Sequence, residues 1–117
     1  MSIKKRINSF RFALEGIRTL FQSEPNARIH LLAAIIVVIS GFYFGLSAIE
    51  WVAIILAIGL VVVAEAFNTA LEKLTDLASP EIHPLAKKAK DLAAAAVLIS
   101  ALIATVVGVV IFWKKIF

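Results

Sequence analysis

The run Glu65-Ala66-Phe67-Asn68-Thr69-Ala70-Leu71-Glu72-Lys73-Leu74-Thr75-Asp76 carries three carboxylates and an amide at helical spacing. On a helix turning 100° per residue, Glu65, Asn68, Thr69, Glu72 and Asp76 fall within roughly 60° of one line. Oxygen donors on one stripe suit a hard cation such as Mg2+ or Ca2+, and a carboxylate among them suits proton transfer. Glu65 stands apart because it interrupts an otherwise apolar stretch. A carboxylate at membrane depth costs roughly 3 kcal/mol even on the mildest scales, so an intramembrane acid marks a candidate functional site. The competing role for Glu65 alone is a charge paired with lysine or arginine to fix helix packing. Its coincidence with Asn68, Glu72 and Asp76 on one stripe favours a metal-binding, acid–base site.

The elements that must hold this stripe are apolar spans. The 117-residue chain is 62% hydrophobic, with a mean hydropathy of +0.97. That is too apolar for a water-soluble domain of this size. Leu31–Ile49, Trp51–Ala64 and Leu92–Trp113 are uncharged, and each is long enough, or nearly so, to cross about 30 Å of hydrocarbon as a helix. The spans are expected at 29–46, 50–76 and 86–113. Residues 3–22 read as an amphipathic helix, with Ile3, Ile7, Phe10, Leu14, Ile17 and Phe21 on one face. Lys4, Asn8, Arg11, Glu15, Arg18 and Gln22 take the other face. A basic amphipathic helix beside a bilayer is expected to lie in the interface plane. Apolar and charged residues alternate until Arg28, so the N-terminal segment does not read as a cleaved signal.

Ser23 is expected to cap the first span and Pro25 to occupy its first turn. Gly41, Gly45 and Ser47 mark a tight turn before span two, with Glu50 and Trp51 at an interface. Fourteen residues of rise put Glu65 about 21 Å along the axis from Trp51, near the opposite hydrocarbon boundary. Pro80 and Pro84 break the next loop. Ala94, Ala101, Thr105 and Gly108 form a small-residue stripe on span three, read as helix packing.

Lys4, Lys5, Arg6, Arg11, Arg18 and Arg28 precede the first span, and Lys73, Lys87, Lys88 and Lys90 lie around the loop between spans two and three. The positive-inside rule makes both regions cytoplasmic. Lys114 and Lys115 vote weakly the other way. Basic residues that flank membrane segments do not read as a nucleic-acid surface. Cysteine is absent, which excludes disulfides, thiolate metal sites and cysteine nucleophiles.

The polar groups collect at one depth. Glu24, Arg28, Glu65, Asn68, Glu72, Asp76, His83, Lys90 and Asp91 are expected within about 15 Å of the inner membrane surface. Mg2+ typically takes one or two protein carboxylates and completes its shell with water and substrate phosphates, so the set fits phosphoryl transfer, with lysines neutralising phosphate charge. Neither GxxxxGK[ST] nor GxGxxG occurs, so a nucleotide here must be held without a P-loop. With His30 and His83 the sole histidines, a histidine metal site is not expected. His30 reads as an interfacial residue. His83 reads equally as a phosphate contact or an ordinary loop residue.

At these residues the chain resembles the prokaryotic diacylglycerol kinase family, small three-span lipid kinases that include the undecaprenol kinases. The match comprises Glu65-x-x-Asn68-Thr69-Ala70-Leu71-Glu72-x-x-x-Asp76, His83, and Ala86-Lys87-x-Ala89-Lys90-Asp91-x-Ala93-Ala94-Ala95-Ala96-Val97-Leu98. Gly16-Ile17-Arg18 and Glu24-x-x-x-Arg28 align upstream. The resemblance implies transfer of the γ-phosphate of Mg-ATP to a lipid hydroxyl at the cytoplasmic leaflet of the bacterial cell membrane. It implies a homotrimer whose active sites are shared between subunits. Glu65 then corresponds to the general base, Glu24 and Glu72 to the Mg2+ ligands, and Asn68 supports the centre. Lys90 and Asp91 correspond to nucleotide contacts, as does the Glu81-Ile82-His83 loop, with Asp91 also counted in the catalytic set. Phe12 stands where some members carry a nucleotide-contacting tyrosine, and an N-terminal arginine corresponds to Lys5 or Arg6. Ala94 replaces a serine.

The expected architecture is one all-α integral membrane domain over 1–117: an N-terminal amphipathic surface helix plus three transmembrane helices in a homotrimeric bundle. The expected activity is ATP- and Mg2+-dependent phosphorylation of diacylglycerol, with undecaprenol as the alternative acceptor. Outside this class, the rival is a noncatalytic cation-binding or scaffold trimer.

Overall fold

A computed structural model describes residues 2–117, which form four helices and no strand among the described residues. Helix α1 runs Ile3–Ser23. Its N-cap is Ser2, whose hydroxyl accepts the Lys5 amide at 3.2 Å. Helix α2 runs Pro25–Phe44, α3 runs Ala48–Ala78 and α4 runs Pro84–Ile116. These three are long and apolar enough to cross a membrane.

The boundaries follow local chemistry. Glu24 is extended (φ −113°, ψ 107°) and separates α1 from α2, with Pro25 at the first helical turn. Proline lacks the N–H that would be orphaned there anyway. Ser23 does not cap α2 as its sequence position suggested. Its hydroxyl donates to the Thr19 carbonyl at 2.7 Å, closing the last turn of α1. Glu24 takes the N-cap position, and its carboxylate makes no capping hydrogen bond. Gly45 ends α2 in the left-handed region (φ 71°), where a Cβ would be strained. The Gly45 and Leu46 amides both donate to the Gly41 carbonyl, at 3.0 and 3.2 Å. A reciprocal capping box then starts α3. The Glu50 amide donates to the Ser47 hydroxyl at 3.2 Å, and the Ser47 amide donates to the Glu50 carboxylate at 2.9 Å.

Helices α3 and α4 form the main antiparallel hairpin, while α2 packs far less closely and chiefly on α3. Ile54, Ala57, Val61, Glu65 and Thr69 form the buried stripe of α3; Ala93, Ser100 and Ile111 are the buried residues of α4. Lys115 Nζ lies 3.1 Å from Glu50 Oε1 and ties the end of α4 to the start of α3. Outside this seam the surface is apolar, with Phe42, Tyr43, Leu98 and Val106 all exposed. Hydrocarbon solvates such side chains as well as a protein core does, so spans need not bury them. The small-residue stripe on α4 does not pack as expected. Ala94 is exposed, and Ala101, Thr105 and Gly108 line an open apolar groove of about 530 Å³ between α2, α3 and α4. A Cβ built on Gly108 would meet nothing within 4 Å. The α4 seam uses Ala93 and Ser100 instead, one residue earlier on the helix than Ala94 and Ala101.

Gly41 is the one helical glycine under a close neighbour. A Cβ there would lie 2.6 Å from Trp51 Cη2, and the Trp51 ring is held against Phe42 with centroids 4.9 Å apart. Gly41→Ala is expected to destabilise the α2–α3 turn by roughly 1–3 kcal/mol, the usual range for overpacking, read as lowered thermal stability in detergent. Gly59→Ala, with nothing within 4 Å of the new Cβ, is the control expected to show no such loss.

Candidate functional site

The buried stripe of α3 is apolar from Ile54 to Val61 and then turns polar without changing face. Glu65 is 2% exposed and Thr69 is 5% exposed. Asn68 and Glu72 are half-buried, and Asp76 is exposed. One helical face therefore packs the hairpin and, two turns later, presents oxygen atoms. The Asn68 side-chain amide donates to Glu72 Oε1 at 3.2 Å, fixing one Glu72 oxygen. Asn68 Oδ1, Glu65 Oε1 and Thr69 Oγ1 are buried without a hydrogen-bond partner.

Across from α3, His30 of α2 places Nε2 3.2 Å from Glu65 Oε1. The distance is that of an ion pair, and the ring is angled away from an aligned hydrogen bond. Glu24 and Glu72 both lie close enough for their charges to act on Glu65. The contacts pair His30 of α2 with Glu65 of α3, and Asn68 with Glu72 farther along α3; Glu24, at the N-cap of α2, lies in the same neighbourhood. Sequence reasoning had placed His30 at the membrane interface and outside the site. The available signal was weak: buried Ala27 lies one turn before His30, but no helical period reveals which residue of α3 faces it.

The other expected site residues fall into separate groups. Lys90 pairs with Asp76 across the α3–α4 hairpin, and Lys87 Nζ lies 2.6 Å from Asp91 Oδ2 within α4. Glu81, Ile82 and His83 are exposed in the connecting turn. There the Ser79 hydroxyl donates to the Glu81 carbonyl at 2.9 Å, and His83 Nδ1 accepts the Leu85 amide at 3.1 Å as the N-cap of α4. Lys5 and Phe12 are exposed on α1.

No three His, Cys, Asp or Glu side chains converge into a closed metal cage among the described residues. The donors present nevertheless fit an open Mg2+ site. Glu72 has a second oxygen beyond the one held by Asn68, Glu24 is released from capping duty, and Asn68 Oδ1 is an unpartnered oxygen. All are hard ligands, and one or two carboxylates suffice when water and phosphate oxygens complete the shell.

Three helices long and apolar enough to cross a membrane, one of them carrying a buried carboxylate, define a multi-pass membrane protein. The family model for prokaryotic diacylglycerol kinase matches residues 11–112, and the chain belongs to that family. It is therefore a lipid kinase, with ATP as co-substrate. It is 42% identical over 113 residues to an undecaprenol kinase of Bacillus subtilis (strain 168), covering 97% of this chain and 92% of the relative. It is 33% identical over 113 residues to a diacylglycerol kinase of Helicobacter pylori (strain ATCC 700392 / 26695), covering 97% and 81%. It is 29% identical over 108 residues to the diacylglycerol kinase of Escherichia coli (strain K12), covering 92% and 88%.

The Asp76–Lys90 pair is largely exposed, and such pairs contribute about 0.2–1 kcal/mol. A double-mutant cycle of Asp76→Ala and Lys90→Ala, followed by thermal unfolding, is expected to return a coupling in that range. A larger coupling would make the pair a structural clamp.

Proposed function

We propose that this enzyme transfers the γ-phosphate of ATP to the hydroxyl of a membrane lipid, with Glu65 as general base. The burial of Glu65 beside the uncommitted oxygens of Asn68 and Glu72 is the observation that carries this reading. A base must come within hydrogen-bond reach of the proton it takes. A carboxylate one turn inside the polar edge of a span can do that only for a substrate that itself lies in the membrane. Glu65 accepts the hydroxyl proton, the lipid oxygen bonds to the γ-phosphorus, and ADP leaves. Glu24 and Glu72 would hold Mg2+, with Asn68 keeping Glu72 in place. When bound, the ion supplies positive charge to the transferring phosphoryl group.

Asp91, Lys90, Glu81, Ile82, His83, Lys5 and Phe12 engage the nucleotide in this reading. Lys90 and Asp91 must first exchange their present partners. Both pairs are solvent-exposed, so each exchange costs no more than about 1 kcal/mol, and a triphosphate offers Lys90 more charge than Asp76 does. The phenyl ring of Phe12 can stack on a base but cannot donate the hydrogen bond of a tyrosine.

Helix α1 lies on the cytoplasmic surface of the bacterial inner membrane in this proposal. Its apolar residues Ile3, Ile7, Phe10, Leu14 and Ile17 are exposed, and Leu20 is its one buried residue. A membrane surface accommodates such a face better than water does. The C-terminal basic residues, which seemed to oppose a cytoplasmic N-terminus, are weakened as topological signals by the pairing of Lys115 with Glu50. The enzyme works as a homotrimer in this reading, with neighbouring copies completing the site and covering part of the apolar surface.

The family resemblance puts diacylglycerol first as acceptor, with undecaprenol as the alternative. Identity does not separate the two acceptors: the chain is 42% identical to an undecaprenol kinase and 41% identical to a diacylglycerol kinase of Synechocystis sp.. Competition between the two lipids under Mg-ATP, with products identified by mass, decides between them. Glu65→Gln is expected to lower kcat by about 10²–10⁴-fold, the usual contribution of a general base, with helical content unchanged. Phosphate transfer at the wild-type rate in Glu65→Gln would remove Glu65 from the mechanism. Chelation of divalent ions is expected to stop turnover, and added Mg2+ to restore it.

A further inference from the structure

We infer that His30 is a positioning residue for Glu65, holding one carboxylate oxygen so that the other faces the lipid hydroxyl. This rests on the reading of Glu65 as the base. Among the described residues, His30 is the one basic side chain within ion-pair distance of Glu65, at 3.2 Å. The other candidates are committed elsewhere: Lys90 to Asp76, and the Arg28 guanidinium to the Gln22 carbonyl at 3.4 Å. The remaining charged neighbours, Glu24 and Glu72, repel a carboxylate. Without His30, Glu65 would be almost fully buried with no basic group within ion-pair distance and two like charges near it. Such a group either loses its charge or turns away from the site.

An imidazole Nε2 standing 3.2 Å from Oε1 counters both outcomes once it turns to align with that oxygen. It selects one rotamer of Glu65, offsets part of the repulsion from Glu24 and Glu72, and leaves Oε2 free to accept the proton. His30 suits the task because it comes from a different helix, α2, than the carboxylate it touches. Its side chain is 28% exposed against 2% for Glu65, so it stands between the carboxylate and the apolar groove that it also lines. The contact is close but unaligned, as catalytic hydrogen bonds often are before substrate arrives. In the chemical step His30 transfers no proton. The lipid O–H bond breaks, its proton goes to Glu65, the O–P bond forms, and the bond between the γ-phosphorus and its bridging oxygen breaks to release ADP.

The test compares His30→Ala, His30→Gln and Glu65→Gln in the full-length protein in detergent–lipid micelles, with the Glu65→Gln/His30→Ala double variant. Removing an orienting partner typically costs 10–100-fold in activity. His30→Ala is expected to lose kcat by about that factor, with KM for ATP and lipid within about twofold. His30→Gln, which keeps an N–H donor at similar reach, is expected to recover at least half of the lost activity on a logarithmic scale. Added imidazole is expected to raise the rate of His30→Ala but not of Glu65→Gln. In the double variant the losses are expected not to multiply, because both act through one carboxylate. A His30→Ala kcat within twofold of wild type overturns the proposal. So does an equal loss in Ala and Gln variants without imidazole rescue, which would mark a purely structural role. If Glu65→Gln stays active while His30→Ala does not, the reading of Glu65 as base fails, and that result is distinct from either outcome for His30.

Discussion

A single carboxylate withdrawn from water sets the terms for this fold. Glu65 is 2% exposed on a helix otherwise suited to hydrocarbon, and an unpaired buried charge costs several kcal/mol. Everything around it bears on that cost. The α3–α4 hairpin carries the residue on its tight seam, α2 brings His30 to within 3.2 Å, and Asn68 and Thr69 add polar atoms on the next turn. A fold selected for stability alone would place Val or Leu at this position, as the preceding stripe of Ile54, Ala57 and Val61 does. Under the proposed mechanism these polar side chains serve chemistry rather than packing, as a lipid kinase requires.

The charges divide by depth into two kinds. Asp76–Lys90, Lys87–Asp91 and Arg11–Glu15 are exposed pairs. Water screens them, so they break and re-form at little cost. The His30–Glu65 pair lies deeper, where the low dielectric makes both its formation and its loss matter more. At the far end of the spans, Glu50 serves twice: it caps α3 through Ser47 and neutralises Lys115. That pairing anchors the hairpin at the end opposite the site without adding net charge to that surface.

The weak packing of α2 follows from its surroundings. In water, an apolar helix touching its neighbours so sparsely would be unstable. In lipid its exposed side chains lose nothing, and close contact is needed only where small residues or polar groups gain from it. The turn at Gly41, where Trp51 lies over a residue without a Cβ, and the start of α2, where Ala27 is buried, are two such places. Between them the groove lined by Ala101, Thr105 and Gly108 stays open in the single chain.

By itself the sequence determined the number and kind of helices, because uncharged runs of membrane length and the 3–4 spacing of residues 3–22 are local properties. It also determined the acidic stripe, since Glu65, Asn68 and Glu72 share a face by helical period alone. The family was legible for the same reason: its motifs are contiguous within α3 and within the start of α4. Tertiary structure decided what depends on contact between helices. Ser23 looked like a cap but bonds backwards to Thr19, because Glu24 takes the extended position before Pro25. The small-residue stripe of α4 looked like the seam, yet the helix is rotated so that Ala93 and Ser100 face α3. His30 looked interfacial. It became the neighbour of Glu65 only when α2 crossed α3, and crossing geometry arises from side-chain packing between segments far apart in the chain, which no periodicity within one segment encodes.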